Sequence, residues 1–313
     1  MHDSDDFPKE VKHNNALYLR SEELGVGSFG AVYSFRHAEK KQKAVAMKIM
    51  RSVDELHLEE ICTELRIWDR LEHEHIVRLL GYKWSRLTGI HMFIMEHASR
   101  GDLLSYIAER GCVSPAKLWL IACQLISAVG YIHSSGFVHC DIKPDNILLF
   151  SEDLVKLCDF GLARKIETDS VGNEKKVFYW SGTAAYFSPL KYARYESLST
   201  KDDVWALGYT LLLIASAKIP WEYPSLNNEG YKMWLKNPRK HTNFKKVCKD
   251  KLLLELLRNM LNPSEKQRWT MKDAESSRYI ENSSASRRTS RLGMCIKAKV
   301  LVPFTYVGKK MWN

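Results

Sequence analysis

An α+β chain in two lobes is the fold class the sequence predicts, and three observations predict it. Up to about residue 96 the apolar residues alternate or form β-branched runs, interrupted by a single helical stretch. Beyond residue 100 the apolar spacing becomes helical and stays so to about residue 279. The chain has 313 residues of 45% hydrophobic content, enough to bury a substantial core, and shows no internal repeat or polar low-complexity tract.

Three strands are expected first, in "ALYLRSEELG", "AVYSFRHAE" and "KAVAMKIM", separated by glycine or charged turns. A helix over 53–72 follows, its apolar positions at 58, 61, 65, 68 and 71 falling on one face. Two more strands lie in "HIVRLLGYKW" and "IHMFIMEH". The second part opens with helices over 102–109 and 114–136, the latter started by Ser-Pro and closed by Gly136. Short strands carry "NILLF" and "VKLCDF", and helices return near 202–217, 228–236, 249–261 and 271–279.

Composition excludes several classes. The start, "MHDSDDFPKEVKHNN", is polar and acidic, unlike a secretory signal, and residues 1–16 are expected as a polar extension. The longest uncharged apolar run, 204–217, has 14 residues, short of the roughly 18 a membrane span needs. The seven cysteines are scattered without metal-ligand spacing, so reduced thiols and an intracellular location, nucleus or cytoplasm, are expected. Residues 278–313 hold eight Lys or Arg against one acid, so much of the net charge of +10 falls in a basic tail, residues 281–313. A solvated tail and an electrostatic contact with an acidic partner or nucleic acid are the two readings of it. No nucleic-acid motif supports the second, and neither a nucleic-acid nor a membrane partner is expected.

The chemistry begins at "LGVGSFGAV", where Leu24 leads Gly25, Gly27 and Gly30, with Val32 two residues on. Glycines let a backbone approach phosphate closely. Dinucleotide-binding folds share this spacing, but there the third glycine opens a helix, whereas here "AVYSF" continues as a strand. The next apolar strand ends its "VAMK" on Lys48, an exposed edge residue or a phosphate-binding cation fixed by an acid. Glu64 and Glu60, one turn earlier on the same helical face, are the acids on offer. In "HCDIKPDN", Asp141 is placed to accept or orient a hydroxyl proton, and Lys143 to neutralise a transferring phosphoryl group. Asn146 and the Asp159 of "DFG" supply hard oxygen ligands for Mg²⁺.

Taken together, residues 17–280 resemble a eukaryotic protein kinase domain, with an N-lobe over 17–96 and a C-lobe over 99–280. In such domains the lysine's acid lies nine residues before the position of His73, so the resemblance makes Glu64 the expected one and Glu60 the alternative. Lys143 and the Thr183 of "SGTAAYFSP" match the serine/threonine branch. "EEIC", "PWEYPSLNNEGYKMWLKNP" and "NPSEKQRWT" are similar to the checkpoint kinase 1 group of DNA-damage effectors. The resemblance implies a monomer that uses ATP and Mg²⁺ to phosphorylate serine or threonine near basic residues. It implies that Val32, Ala46 and Leu148 sandwich adenine, that Met95 backs the pocket and that Glu96–Ala98 form the hinge. Asp102 and Asp145 fall where arginine-directed kinases hold substrate-binding carboxylates; solvated surface acids are the alternative. Asp203 of "KDDVWALG" would brace the catalytic loop.

Three departures qualify the resemblance. Cys140 stands where the family's arginine pairs with an activation-loop phosphate, so that control route is expected to be absent. Leu190 replaces the glutamate of a buried ion pair, and Arg268, its partner, is expected to turn to solvent or to another acid. No Ser-Gln or Thr-Gln dipeptide occurs, and "SRRTS" (286–290) resembles a basophilic phosphorylation site instead. An active enzyme is expected; the alternative is a scaffold that binds ATP or a partner without efficient transfer.

Overall fold

In the computed structural model the described residues are 7–27, 30–40, 42–240, 242–245 and 247–282. The basic tail from residue 283 on, with "SRRTS", therefore lies outside them. The N-lobe is one antiparallel sheet of six strands in the order β1-β2-β3-β4-β6-β5. These are β1 (Glu10–His13), β2 (Ala16–Gly27), β3 (Gly30–His37), β4 (Ala44–Arg51), β5 (Leu79–Ser85) and β6 (Ile90–Glu96), with α1 (Glu55–Trp68) between β4 and β5.

Strand β1 departs from the expected polar extension. Asn14 and Asn15 both take left-handed φ, 47° and 59°, and turn the chain from β1 into β2. Paired left-handed residues give the turn whose twist suits a hairpin. Phe7 and Val11 are then buried with Tyr33, Phe35, Met47 and Ile49 in a second N-lobe core. Two apolar residues four positions apart in an acidic stretch carry too little pattern to announce a strand.

Helix α1 starts where Asp54 accepts from the His57 backbone N–H at 2.8 Å. It is shorter than 53–72, because the chain after Trp68 tightens into turns closed by Arg70 N–H on Ile67 O and Leu71 N–H on Trp68 O. His57, Ile61, Glu64 and Trp68 form its buried stripe, with Leu58 and Leu65 only half-buried. The core face is thus rotated from the expected one and includes a carboxylate.

The C-lobe contains α2 (Leu103–Arg110), α3 (Pro115–Ser134), α4 (Pro189–Tyr192), α5 (Ser199–Ser216), α6 (Glu229–Lys236), α7 (Lys251–Met260), α8 (Met271–Glu275) and α9 (Arg278–Asn282). Short strands β7 (Phe137–Val138), β8 (Ile147–Leu149), β9 (Val155–Leu157) and β10 (Arg164–Lys165) carry the loops that face the N-lobe. Helix α3 is started by Ser114 ahead of Pro115 and followed by Gly136 at φ 85°. By length and composition α3 could cross a membrane; here Leu118, Ile121, Leu125, Val129 and Ile132 are buried in the core. Helix α5 is buried nearly all round from Asp203 to Ala215, as a central helix should be.

Backbone connections tie the lobes at two places among the described residues, and side chains add more. One is the chain leaving β6; the other is a parallel bridge in which Leu157 N–H donates to His75 O and Val77 N–H to Leu157 O, both at 2.9 Å. The loop ahead of β5 also docks on α3, with the His73 ring stacked on Tyr131 and Nε2 3.1 Å from Ser127 Oγ. Burial, then the neighbouring His75, lowers the His73 pKa from 6.5 to about 4, against the attraction of Glu74. The unfolded chain thus takes up this proton first. Stability should fall as pH drops from 6.5 towards 4. Denaturant midpoints at pH 7.5 and 5 should show a smaller acid loss in His73→Gln than in the wild type; equal losses would remove His73 as a cause.

Candidate active site

The cleft between the lobes gathers most of the expected residues. Gly27 at the end of β2 pairs with Gly30 at the start of β3. At Gly30 an added Cβ would meet Ile49 O of β4 at 2.1 Å, whereas Gly25 has nothing within 4 Å and Gly27 only a distant carbonyl. Close strand packing therefore dictates the third glycine, and the first two leave open space. Leu24 is exposed, Ala46 and Met95 are buried opposite each other across β4 and β6, and Val32 and Leu148 are partly buried against the same core. The Glu96 carboxylate is held by Lys156 Nζ at 2.6 Å and by the Arg78 backbone N–H at 3.1 Å, at the end of β6, with Ala98 half-buried two residues on.

Lys48 is central. Its Nζ lies 2.7 Å from Glu64 Oε1 and 2.9 Å from Asp159 Oδ1. Burial favours the neutral amine, but the two carboxylates outweigh it and raise the Lys48 pKa. Burial likewise opposes ionisation of Asp159, and the Lys48 ammonium overcomes it and lowers the pKa. Glu60, the alternative partner, is exposed; Glu64 reaches Lys48 because it lies on the buried stripe of α1. Asp159 adopts φ 65°, and the next residue, Phe160, is buried with its ring 5.7 Å from Trp68 and 5.1 Å from His139.

Asp141 stands in a network with every oxygen engaged. Oδ1 accepts from Thr183 N–H at 3.0 Å and Thr183 Oγ1 at 2.9 Å. Oδ2 accepts from Asn146 Nδ2 at 3.1 Å and lies 2.8 Å from Lys143 Nζ, which also donates to Thr183 Oγ1 at 2.8 Å. From beneath, Asp203 on α5 accepts from the His139 and Cys140 backbone N–H groups at 2.8 and 2.9 Å and from His133 Nε2 at 2.9 Å. Burial opposes its charge, and His133 more than offsets this, lowering the Asp203 pKa.

The donor set fits a hard cation. Asn146 Nδ2 makes both of that side chain's bonds, to Asp141 O and Oδ2, which turns Asn146 Oδ1 the other way. Asp159 bonds Lys48 and Gly161 N–H through Oδ1, so Oδ2 is the second oxygen on offer. Two such donors suit Mg²⁺, which takes one or two protein ligands and completes its shell with phosphate and water.

Other expectations change. Asp102 caps α2, accepting from Ser105 N–H at 2.8 Å and Ser105 Oγ at 2.9 Å, while Asp145 is exposed. Arg268 has not turned to solvent: it is 1% exposed. Its Nε donates to Asn262 O at 3.0 Å and Nη1 to Lys201 O at 2.9 Å, and it lies over the Trp205 ring. Asp202 forms a loose ion pair with it at 3.8 Å, in line with the other branch of the expectation, while the two Asp202 oxygens also accept from the Ser188 and Ser197 hydroxyls. Backbone carbonyls, an aromatic face and the loosely placed Asp202 thus stand in for the missing glutamate. Cys140 takes φ 67°, and burial, then Asp203, raises its thiol pKa to about 12.

Gly182 was not singled out from the sequence, yet it has φ 100° and an added Cβ would lie 2.5 Å from Cys140 O. A glycine before the threonine in "SGT" was its only signal.

A family model for the protein kinase domain matches residues 18–280. Similar proteins include the serine/threonine-protein kinase chk-1 of Caenorhabditis briggsae, 30% identical over 74% of this chain and 47% of that protein. CBL-interacting protein kinase 14 of Oryza sativa subsp. japonica is 29% identical over 86% of this chain and 62% of its own length. The serine/threonine-protein kinase RUNKEL of Arabidopsis thaliana is 32% identical over 64% of this chain and 14% of its own. The chain thus spans less than two thirds of each of these relatives. With a two-lobed fold, a Lys48–Glu64–Asp159 cluster in its cleft and a match over most of its length, the chain belongs to the protein kinase domain family.

Proposed function

We propose that this chain transfers the γ-phosphoryl group of ATP to serine or threonine hydroxyls of proteins. The observation that carries this is the simultaneous contact of Lys48 with Glu64 and Asp159, at 2.7 and 2.9 Å, which aligns α1 and the "DFG" loop on one cation. Lys48 holds the α and β phosphates, and Gly25 and Gly27 leave room for them. Val32, Ala46, Leu148 and Met95 form the adenine-facing surface, Leu24 its outer edge, and the backbone from Glu96 to Ala98 the hydrogen-bonding hinge. Asn146 and Asp159 hold Mg²⁺, which neutralises phosphate charge when bound.

Asp141 orients the substrate hydroxyl and takes its proton, with Lys143 beside it balancing charge on the phosphoryl group. In the present geometry Thr183 Oγ1 occupies Asp141 Oδ1, so an incoming hydroxyl shares that carboxylate with it. Positioning and electrostatics supply most of the rate, with turnover of about 1–100 s⁻¹. The preferred substrate carries arginine near the acceptor, a reading supported by exposed Asp145 in the catalytic loop; similarity to a chk-1 protein supports a checkpoint-like role.

The test is transfer of labelled phosphate from Mg-ATP to paired serine peptides with and without arginine. Transfer favouring the arginine peptide, with the preference reduced in Asp145→Asn, supports both parts of the reading. Transfer without preference removes the arginine part. No transfer by folded, ATP-binding protein leaves a scaffold.

A further inference from the structure

The carboxylate missing at Leu190 has a counterpart elsewhere. Glu265 lies in the stretch just before Arg268 and is 5% exposed. It does not pair with that arginine. Its Oε1 accepts from the Leu198 backbone N–H and its Oε2 from Lys176 Nζ, both at 2.6 Å. Lys176 belongs to the activation segment, residues 159–190.

Two positions earlier, Glu174 accepts from Ser199 Oγ at 2.9 Å, Thr200 N–H at 2.9 Å and Thr200 Oγ1 at 2.5 Å. These groups open α5, whose own cap residue, Leu198, makes no side-chain capping bond. A carboxylate there also meets the positive end of the helix dipole. Between the two acids, Val177 and Ser197 exchange both backbone hydrogen bonds, at 2.9 and 3.0 Å. The exposed Lys176 contact alone would be worth little; the charge-assisted bonds to backbone N–H groups carry the weight.

The junction is placed to matter. Helix α5 carries Asp203, which holds the His139 and Cys140 N–H groups, and the activation segment runs from Val177 to Gly182 and Thr183 against Asp141. We propose that Glu174, Lys176 and Glu265 are positioning residues that fix the activation segment on the start of α5 and thereby set peptide-substrate binding. The proposal rests on the phosphoryl-transfer reading for its kinetic consequence, and on geometry alone for the clamp.

The experiment is hydrogen exchange on the full chain, with peptide KM, kcat and ATP-analogue affinity measured in parallel, for Glu174→Gln, Glu265→Gln and Lys176→Met. Exchange over 174–183 and at Leu198 and Thr200 should quicken roughly tenfold or more in the two glutamine variants, the effect of losing a charge-assisted hydrogen bond. Peptide KM should rise by a similar factor while ATP-analogue affinity stays unchanged. Lys176→Met should give a smaller change that Lys176→Arg restores. A merely structural role would lower melting temperature and leave local exchange and KM alone, and that result overturns the proposal. If Glu265→Gln does not fold, the two segment variants carry the test. If the wild type transfers no phosphate, quickened local exchange still supports the clamp, and unchanged exchange overturns it.

Discussion

Asp141→Asn is expected to lower kcat/KM by roughly a hundredfold or more, the usual scale of a lost acid–base group. The substitution keeps size and shape, so the effect is chemical. An amide accepts no proton, and one of its two ends is an NH₂. Placed at Oδ2, that NH₂ would face Lys143 Nζ and Asn146 Nδ2, both of them donors; placed at Oδ1, it would face the Thr183 N–H. Neither orientation restores the network. Steady-state kinetics, with ATP-analogue binding as a control for folding, check this. Activity within tenfold of wild type would remove Asp141 from the proton-handling role.

Gly182→Ala should be the second most damaging small change. A left-handed φ of 100° with a Cβ 2.5 Å from Cys140 O demands backbone movement, and strain of this kind costs ~1–3 kcal/mol. The same movement would displace Thr183 from Asp141. A misplacement of ~1 Å near a reacting group can reduce turnover ~100-fold. Gly172 provides the control, since its φ is 94° but nothing lies within 4 Å of its added Cβ. Gly172→Ala should lose stability without losing kcat, as read from denaturant midpoints and turnover. Equal kcat losses at both positions would show that the clash at Cys140 is not the cause.

Which parts were legible in the sequence follows from how local their signals are. Strands β2 to β6 announce themselves through alternating or β-branched runs, α3 through its Ser-Pro start and closing glycine, and α5 through a long uncharged apolar run, because burial forces the pattern on each segment independently. The grouping of Lys48 with Glu64 was legible only through the family resemblance, whose offset to His73 favours Glu64 over Glu60; the apolar stripe read from the sequence left Glu64 off the core face. Most of what was not legible depends on distant partners. Arg268 was expected to turn to solvent or to another acid once Leu190 removed its glutamate; Asp202 does lie 3.8 Å away, but the carbonyls of Asn262 and Lys201 and the Trp205 ring keep it buried. Asp102, read as a possible substrate-binding acid, also caps α2 through Ser105, a local contact rather than a distant one. The need for Gly182 arises only when Cys140 O is brought against it from 42 positions away.

Strand β1 makes the folding unit longer than the homologous module. The family match begins at residue 18, whereas Phe7 and Val11 already belong to a hydrophobic core with Phe35, Met47 and Ile94. Cutting the chain where the homology starts would strip a strand from the sheet and leave the edge of β2 unpaired beside an uncovered apolar face. Borders drawn by ancestry and borders drawn by burial differ here, and burial decides what refolds without aggregating.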